Sequence, residues 1–259
     1  GDYEVARTCI EAGADMLAVS SLDEAMILRN EGYHGKLLIL GATNPEDIPA
    51  LIDNHISTAA ISLEWVNKVT QSNCKGLMIH LAVDTGIKDL ATLKEAFDRL
   101  LAAGCIPEGI FTHFYCSSEI DHDITNKQFQ LFKEAVQSLD YPFEWIHCDN
   151  SDATIFFQDE LSNACRVGIS LYGLSPYTNA LKSVVSLYTQ IFMTKTIHKG
   201  ETVGYGALHT AEEDEIIGTC PIGYADGFIR KNTGRKVYVD GEYAEVVGNV
   251  CMDQTMIRL

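Results

Sequence analysis

Apolar residues recur along the first two thirds of the chain in two alternating patterns, one typical of helices and one of buried strands. The clearest helix has apolar side chains at positions i, i+3, i+4, i+7 and i+8, with a glycine shortly after them. These residues are Leu93, Ala96, Phe97, Leu100 and Leu101, and the glycine is Gly104. A similar stripe, formed by Phe129, Phe132, Ala135, Val136 and Leu139, predicts a later helix.

Local signals mark where helices and strands begin and end. Ser21-Leu-Asp-Glu24 has the spacing of a capping box and predicts a helix that Gly32 ends. Pro45, directly after Asn44, predicts the start of another helix. Short apolar runs predict strands over residues 16–19, 37–40, 77–84, 109–114, 143–147 and 165–169, with a further strand that ends within residues 59–62.

Strands that are apolar throughout and alternate with helices indicate a parallel sheet covered on both faces. The pattern gives about seven β/α units. It therefore favours an α/β fold of the (β/α)8 TIM-barrel type in which the first strand is missing. The alternative is an open, doubly wound parallel sheet.

The pattern changes to a period of two after about Asn179. Alternation over Val185, Leu187, Thr189, Ile191 and Met193 is typical of a half-buried strand. Asp240-Gly241 follows another short strand and predicts a hairpin turn. We expect a barrel domain over residues 1–178 and a second, mostly β domain over residues 179–259, which the chain carries only in part.

Composition excludes several classes of function. With 259 residues and 46% hydrophobic residues, the chain can bury a large core. Its net charge of −17, without a basic stripe, excludes a nucleic-acid binder, and no apolar run reaches the roughly 18 residues of a membrane span. The eight cysteines are scattered, which favours reduced thiols in a cytoplasmic protein over disulfides or a metal site. The chain ends suggest a fragment of a longer protein.

Polar residues follow several predicted strands, where a barrel places its chemistry. They are Asp84-Thr85-Gly86, Thr112-His113, Asn150-Ser151 and Arg166-Val-Gly168. Free backbone N–H groups beside a serine hydroxyl suit a phosphate monoester. Each residue also has an ordinary interpretation: Ser151 as a helix N-cap, Gly168 as a turn glycine and His113 as a structural histidine. Asp121-His-Asp123 fits a solvated helix N-terminus better than a metal site.

Six strings in one order carry a resemblance that covers the whole chain. They are Asp84-Thr-Gly86, Thr112-His-Phe114, Asn150-Ser151, Arg166-Val-Gly-Ile-Ser-Leu-Tyr-Gly173, Gly223-Tyr-Ala-Asp-Gly227 and Val250-Cys-Met-Asp-Gln254. Together they resemble bacterial alanine racemases, pyridoxal-phosphate enzymes of fold type III. The resemblance implies a barrel that binds pyridoxal 5'-phosphate, followed by a β domain.

The resemblance also implies residue roles. Tyr205 is the expected catalytic base on one face of the substrate Cα, His113 its hydrogen-bond partner, and Arg166 the residue facing the pyridine nitrogen. The phosphate cradle is expected at Ser151, Gly168 and Ile169. Substrate contacts are expected at Met252, through its backbone N–H, at Asp253 and at Tyr224, with Arg230 near the entrance. A homodimer is implied, in which Tyr205 acts in the site of the other subunit.

The chain departs from the family pattern at several points. The family's Schiff-base lysine belongs to a strand-end motif that would precede Gly1, and a further phosphate-contacting tyrosine would follow Leu259. The lysine that becomes carbamylated in the family is Ala82 here, and an arginine that contacts cofactor and substrate is Asp89. We expect the chain as given to be inactive, because the second base is missing.

The leading hypothesis is a racemase that interconverts L- and D-alanine for peptidoglycan synthesis. A racemase that prefers serine is an alternative, and so is a pseudoenzyme or binding module that retains the fold without the chemistry. A phosphosugar enzyme on an unrelated barrel would explain the phosphate cradle only.

Overall fold

The computed structural model describes residues 2–83, 89–118, 123–175 and 177–259. Within them the chain forms two compact units, Gly1–Val184 and Val185–Leu259.

The first unit alternates strands and helices throughout. Its strands are β1 (Met16–Val19), β2 (Lys36–Ile39), β3 (Ser57–Ala60), β4 (Met78–Ala82), β5 (Ile106–Phe111), β6 (Trp145–Asp149) and β7 (Ala164–Cys165). Its α-helices are α1 (Tyr3–Glu11), α2 (Leu22–Asn30), α3 (Ile48–Asp53), α4 (Leu63–Val69), α5 (Leu90–Ala102), α6 (Asp123–Leu139) and α7 (Ser151–Phe156). A short 3-10 helix, Pro45–Asp47, precedes α3, and another, Ile169–Tyr172, follows β7.

All seven described strands of this unit are parallel, and each pairs with its neighbours in chain order from β1 to β7. An open doubly wound sheet reverses its strand order at a switch point, whereas a barrel does not. The strictly sequential order, in a curled sheet with helices, therefore confirms the expected α/β barrel class.

The predicted helix starts are confirmed with changes of detail. Ser21 caps α2 by accepting a hydrogen bond from the Glu24 N–H, while the Glu24 carboxylate accepts one from the Ser20 N–H at 2.9 Å. The reciprocal bond of the capping box thus goes to the residue before the cap. Pro45 starts the short 3-10 helix, and the chain continues from it into α3.

Some predicted strands end earlier than their apolar runs suggest. β3 ends at Ala60, and Ser62 instead caps α4 by accepting from the Trp65 N–H at 3.1 Å. β5 ends at Phe111, so Thr112 and His113 lie in the loop beyond it. β7 has only two residues, and Ile169, predicted to be its last residue, begins a 3-10 helix.

The second unit is antiparallel. Its main sheet contains β8 (Met193–Ile197), β11 (Glu215–Cys220), β12 (Lys236–Val239), β13 (Glu242–Val247) and β14 (Thr255–Arg258), in the order β12-β13-β14-β11-β8. A small ladder joins β9 (Thr202–Val203) and β10 (His209–Thr210). The predicted hairpin is confirmed, since Asp240 and Gly241 both have positive φ between β12 and β13.

The predicted strand over residues 185–193 is wrong for most of its length. Residues 185–192 belong to no strand, and the ladder begins at Met193. Val185 and Leu187 are exposed within the described chain, so their alternation reflects no buried sheet face.

The apolar face of α5 packs into the core of the first unit as its spacing predicts, except at one edge. Leu93, Ala96, Phe97 and Leu100 are buried, whereas Leu101 is 39% exposed.

We expect Leu100→Ala to lower the free energy of unfolding by about 2–4 kcal/mol, because it leaves a cavity in a fully buried site. Leu101→Ala, the matched control, should cost under about 1 kcal/mol. Denaturant unfolding checks this, and equal losses would contradict the burial pattern.

Candidate active site

Arg166 lies directly after β7, and its guanidinium is held by the last residues of β6 and by the loop that follows β5. Its Nη1 donates to His147 Nδ1 at 2.7 Å and to the His147 carbonyl at 3.0 Å. Its Nη2 donates to the carbonyls of Thr112 and Cys148, at 2.8 and 3.3 Å, and lies 3.3 Å from His113 Nδ1. Three consecutive strand ends therefore meet at one cation.

The charge of Arg166 has no carboxylate partner within 4.0 Å among the described residues. Burial lowers the pKa of Arg166 to about 10, so the group still carries its proton at neutral pH. Carbonyl dipoles and imidazole nitrogens replace the counterion. Within the described chain, the Nε–H of Arg166 has no acceptor and is left for a ligand.

Both histidines beside Arg166 are neutral. Desolvation and the Arg166 charge lower the pKa of His113 below its ordinary value, and the same two causes, with His80, lower the pKa of His147 to about 2. A guanidinium only donates, so His113 Nδ1 accepts and its proton lies on Nε2. His113 therefore has an Nε2–H donor beside the carboxyl ends of the strands.

His147 continues inward to residues that the sequence analysis did not identify. Its Nε2 lies 2.8 Å from His80 Nδ1, and His80 Nε2 lies 3.4 Å from Glu108 Oε2. All three are polar residues within otherwise apolar strands, on β6, β4 and β5 respectively. A polar residue inside an apolar strand is the sequence signal that could have identified them, but it does not indicate which strands become neighbours.

The expected phosphate cradle assembles at the end of β6. Asn150 caps α7, and the Ser151 hydroxyl accepts from the Gly168 N–H at 2.9 Å and the Ser170 N–H at 3.4 Å. Ile169 opens a 3-10 helix, where the first N–H groups have no intrahelical partner. The structure thus brings Ser151, Gly168 and Ile169 together, next to the loop that carries Arg166.

In the second unit, Tyr205 lies on a strained turn between β9 and β10. Gly204, Gly206 and Ala207 all have positive φ, and the Asn249 side chain donates to the Tyr205 carbonyl at 2.6 Å. The backbone is thereby fixed while the side chain is 74% exposed. The Tyr205 side chain is therefore exposed and does not pack into its own unit.

The other predicted substrate residues lie on two loops that bind each other. The N–H groups of Tyr224 and Ala225 donate to the carbonyls of Cys251 and Met252, at 3.0 and 2.9 Å. A Cβ at Gly223 would overlap the Cys251 carbonyl, so the turn needs a glycine there. Within the described chain the Met252 N–H has no acceptor. Asp253 is exposed on the same loop, and Arg230 stacks on Tyr224 with its guanidinium carbon 5.1 Å from the ring centre.

The two departures from the family pattern have structural roles of their own. Ala82 is buried in a small apolar cluster with Ala59 and Phe111. Asp89 is exposed and caps α5, accepting from the Thr92 N–H at 2.8 Å. The motif Asp84-Thr85-Gly86 and residues Asp121 and His122 lie outside the described residues.

A separate acidic cluster lies behind Arg166. Ligand atoms of Cys148, Asp149 and Asp159 lie within 4.8 Å of one another. Burial, followed by the charge of Asp159, raises the pKa of Asp149 to about 6. The folded state therefore binds a proton more tightly than the unfolded chain, and stability falls as pH rises from about 4 to about 6.

We expect Asp149→Asn to raise the free energy of unfolding by about 1–2 kcal/mol at pH 7.5, because it removes a half-buried charge. At pH 4 the gain should vanish, because the wild-type carboxyl is already protonated in the folded state. Thermal unfolding at the two pH values measures this, with Asp98→Asn on exposed α5 surface as the control. An equal gain at both pH values would show that the charge is not the cause.

The fold and the site define the class first. The first unit is a curled parallel sheet with helices, its polar residues lie at the carboxyl ends of the strands, and an antiparallel unit follows it. These features define a barrel-class α/β protein, because barrels of this class bind their ligands at that end of the strands. Two family models match in the same order: the alanine racemase N-terminal domain at residues 1–176, and the alanine racemase C-terminal domain at residues 184–259. The chain belongs to the alanine racemase family.

Individual relatives agree with this assignment. The alanine racemase of Geobacillus kaustophilus is 38% identical over an alignment of 274 residues, which covers all of this chain and 71% of that protein. The crystal structure of alanine racemase from Bacillus anthracis with bound L-Ala-P superimposes with a TM-score of 0.89 at 34% identity, covering all of this chain and 72% of that chain. A histidine racemase from Leuconostoc mesenteroides gives a TM-score of 0.86 at 26% identity, covering all of this chain and 74% of that one.

No helix in the described part of the chain is both long enough and apolar enough to span a membrane.

Proposed function

We propose that this protein is a cytoplasmic, pyridoxal-phosphate-dependent racemase that interconverts L- and D-alanine for peptidoglycan synthesis. The observation that carries the proposal is the Arg166 site: a protonated guanidinium without a carboxylate partner, with its Nε–H free among the described residues, beside the Ser151 cradle. Family membership supports the reaction, and the chemistry of these residues supports the cofactor.

The residues fit pyridoxal 5'-phosphate at both of its ends. The Ser151 hydroxyl and the Ile169 N–H would hold the phosphate, as donors at the start of a helix do for anions. The Gly168 N–H, which donates to Ser151 Oγ, would join them where a phosphate oxygen replaces that acceptor. The Arg166 Nε–H would face the pyridine nitrogen. When bound, the cofactor supplies a conjugated ring that accepts negative charge from the substrate Cα.

Arg166 limits how strongly that ring withdraws electrons. A guanidinium donates a hydrogen bond but keeps its proton, so the ring nitrogen stays unprotonated. The lowered pKa of about 10 is still far above neutrality. Weak withdrawal suits a racemase, because only a proton is removed and returned at Cα.

Tyr205 would hold or release the proton on one face of Cα. His113, with its proton on Nε2, would donate a hydrogen bond to the phenol oxygen and stabilise the phenolate. The exposed Tyr205 side chain supports the implied homodimer, in which the tyrosine acts in the site of the other subunit. Racemisation needs a second base on the opposite face. In the family that role belongs to a lysine whose motif would precede Gly1, so tests use the protein at its natural length.

Substrate recognition would come from the second unit. The unpaired Met252 N–H is suited to a carboxylate oxygen, and Tyr224 and Arg230 would restrict the entrance to a small amino acid. Asp253, on the same exposed loop, is the remaining substrate contact that we propose.

We expect the protein at its natural length, supplied with pyridoxal phosphate, to form D-alanine from L-alanine. Tyr205→Phe should lower kcat at least about a hundredfold with little change in KM, because it removes a proton carrier and keeps the ring. Tyr238→Phe, on exposed β12, is the matched control. A coupled D-amino-acid oxidase assay measures both. An inactive wild type would favour the pseudoenzyme, and faster turnover of serine than of alanine would show that the protein is a serine-preferring racemase.

We expect Ser151→Ala to raise the Kd for pyridoxal phosphate about tenfold, since a charge-assisted hydrogen bond is lost. Ser62→Ala is the control, because the Ser62 hydroxyl also accepts a backbone N–H hydrogen bond but lies outside the cradle. Absorbance titration of the cofactor-free protein gives both constants. Equal constants would place the phosphate elsewhere.

A further inference from the structure

We infer that Glu108, at the far end of the strands from Arg166, is a positioning residue that fixes the proton positions of His80 and His147 and so aims the Arg166 guanidinium. We call Glu108, His80, His147 and Arg166 the relay. Its proton positions follow from the geometry alone, whereas its effect on turnover rests on the proposed function.

The direction of the relay is fixed at the Arg166 end. A guanidinium has five N–H donors and no acceptor. Arg166 Nη1 lies 2.7 Å from His147 Nδ1, so His147 Nδ1 must be a bare nitrogen that accepts. A neutral imidazole carries one proton, and that of His147 therefore lies on Nε2.

The next link follows from the first. His147 Nε2 donates to His80 Nδ1 across 2.8 Å, so His80 Nδ1 is also bare. The His80 proton must then lie on Nε2, a buried atom that makes no hydrogen bond among the described residues and lies 3.4 Å from Glu108 Oε2, so the carboxylate acts on this N–H through its charge. Two neutral imidazoles in one tautomer connect a group that only donates to a group that only accepts.

The Glu108 end is built to stay ionised. The Ser57 hydroxyl donates to Glu108 Oε2 at 2.6 Å, and the Lys36 ammonium lies 3.4 Å from Oε1. Burial alone would raise the pKa of Glu108, but the contacts with His80, Ser57 and Lys36 outweigh it and lower the pKa to about 2. The carboxylate is an acceptor at every physiological pH.

Packing holds both rings in place. His80 is fully buried, and a Cβ at residue 109 would overlap its ring, so Gly109 makes room for it. The His147 ring stacks on Phe111 with a centroid distance of 5.1 Å and an interplanar angle of 6°. These contacts restrain both rings in the orientation that the hydrogen bonds use.

Reversing the relay would act on Arg166. With its proton on Nδ1, His147 would present an N–H to the Arg166 N–H groups, and the guanidinium would lose an acceptor in a buried site. The orientation that leaves Nε–H free would then depend on the backbone carbonyls and His113 alone, and would be held less tightly.

Glu108→Gln is the variant that reverses the relay. The Lys36 ammonium can only donate hydrogen bonds, so the amide oxygen should turn towards it and the amide NH2 should face His80 Nε2. Glu144→Gln is the matched control, because Glu144 is the other carboxylate bound to Lys36 but is exposed and does not touch His80. In Glu108→Gln combined with Lys36→Met, the amide oxygen can turn back to His80 and should restore the original tautomer.

The direct readout is the ¹⁵N NMR spectrum of ring-labelled histidine in the natural-length protein, with resonances assigned from His80→Gln and His147→Gln. We expect a proton on Nε2 and a bare Nδ1 for both rings in the wild type and in Glu144→Gln. In Glu108→Gln, protonation should move to Nδ1 of His147. A protonated Nδ1 or an imidazolium at either histidine of the wild type overturns the inference.

Turnover provides the second readout. We expect Glu108→Gln to lower kcat about tenfold with KM little changed, as for loss of one hydrogen bond to a charged group, while Glu144→Gln keeps the wild-type kcat. The Lys36→Met double variant should recover most of the loss. Equal kcat in Glu108→Gln and Glu144→Gln overturns the positioning role. If the protein has no racemase activity, only the proposed function fails, because the NMR result is independent of turnover.

Discussion

The site depends on one constraint: a protonated guanidinium is held at the strand ends without a carboxylate within 4.0 Å among the described residues. Burying an unpaired charge is costly, and the protein offsets the cost with backbone carbonyls and imidazole nitrogens aimed at Arg166. A carboxylate would bind the cation more tightly, but it would also occupy the donors and neutralise the charge. Neutral acceptors leave both the charge and one N–H available to a ligand.

Those acceptors exist because the strands follow one another in the sheet. β5, β6 and β7 are neighbours in parallel register, so the residues at and just past their carboxyl ends converge although they are far apart in sequence. Thr112 and His113 come from the first, Cys148 and Ser151 from the second, and Arg166 from the third. The same adjacency on the inside of the sheet brings His80, His147 and Glu108 into line. The sequential order of the strands in the sheet thus determines which residues meet at the site.

The sequence predicts the fold well, because apolar runs and helix stripes report burial directly. It predicts positions less well where a polar group ends a ladder: Ser62 and Ile169 were assigned to strands, yet one caps a helix and the other begins one. The residues of the cradle were found through motifs. The relay was not, since a histidine in an apolar strand shows only that a partner must exist. Strand register, which no local pattern encodes, decides which partner it is.

Asp89 shows how a departure from a motif can be misread when only the reacting centre is considered. As a replacement for an arginine it reverses the charge, which suggests lost chemistry. In the fold, however, it supplies the N-cap of α5, an interaction that an arginine side chain cannot make because it has no acceptor. Ala82 is likewise enclosed by Ala59 and Phe111 with no polar group among them. Both positions are therefore accounted for by local stability. The chemistry of this chain is better judged by the intact contacts around Arg166 and Ser151 than by these two substitutions.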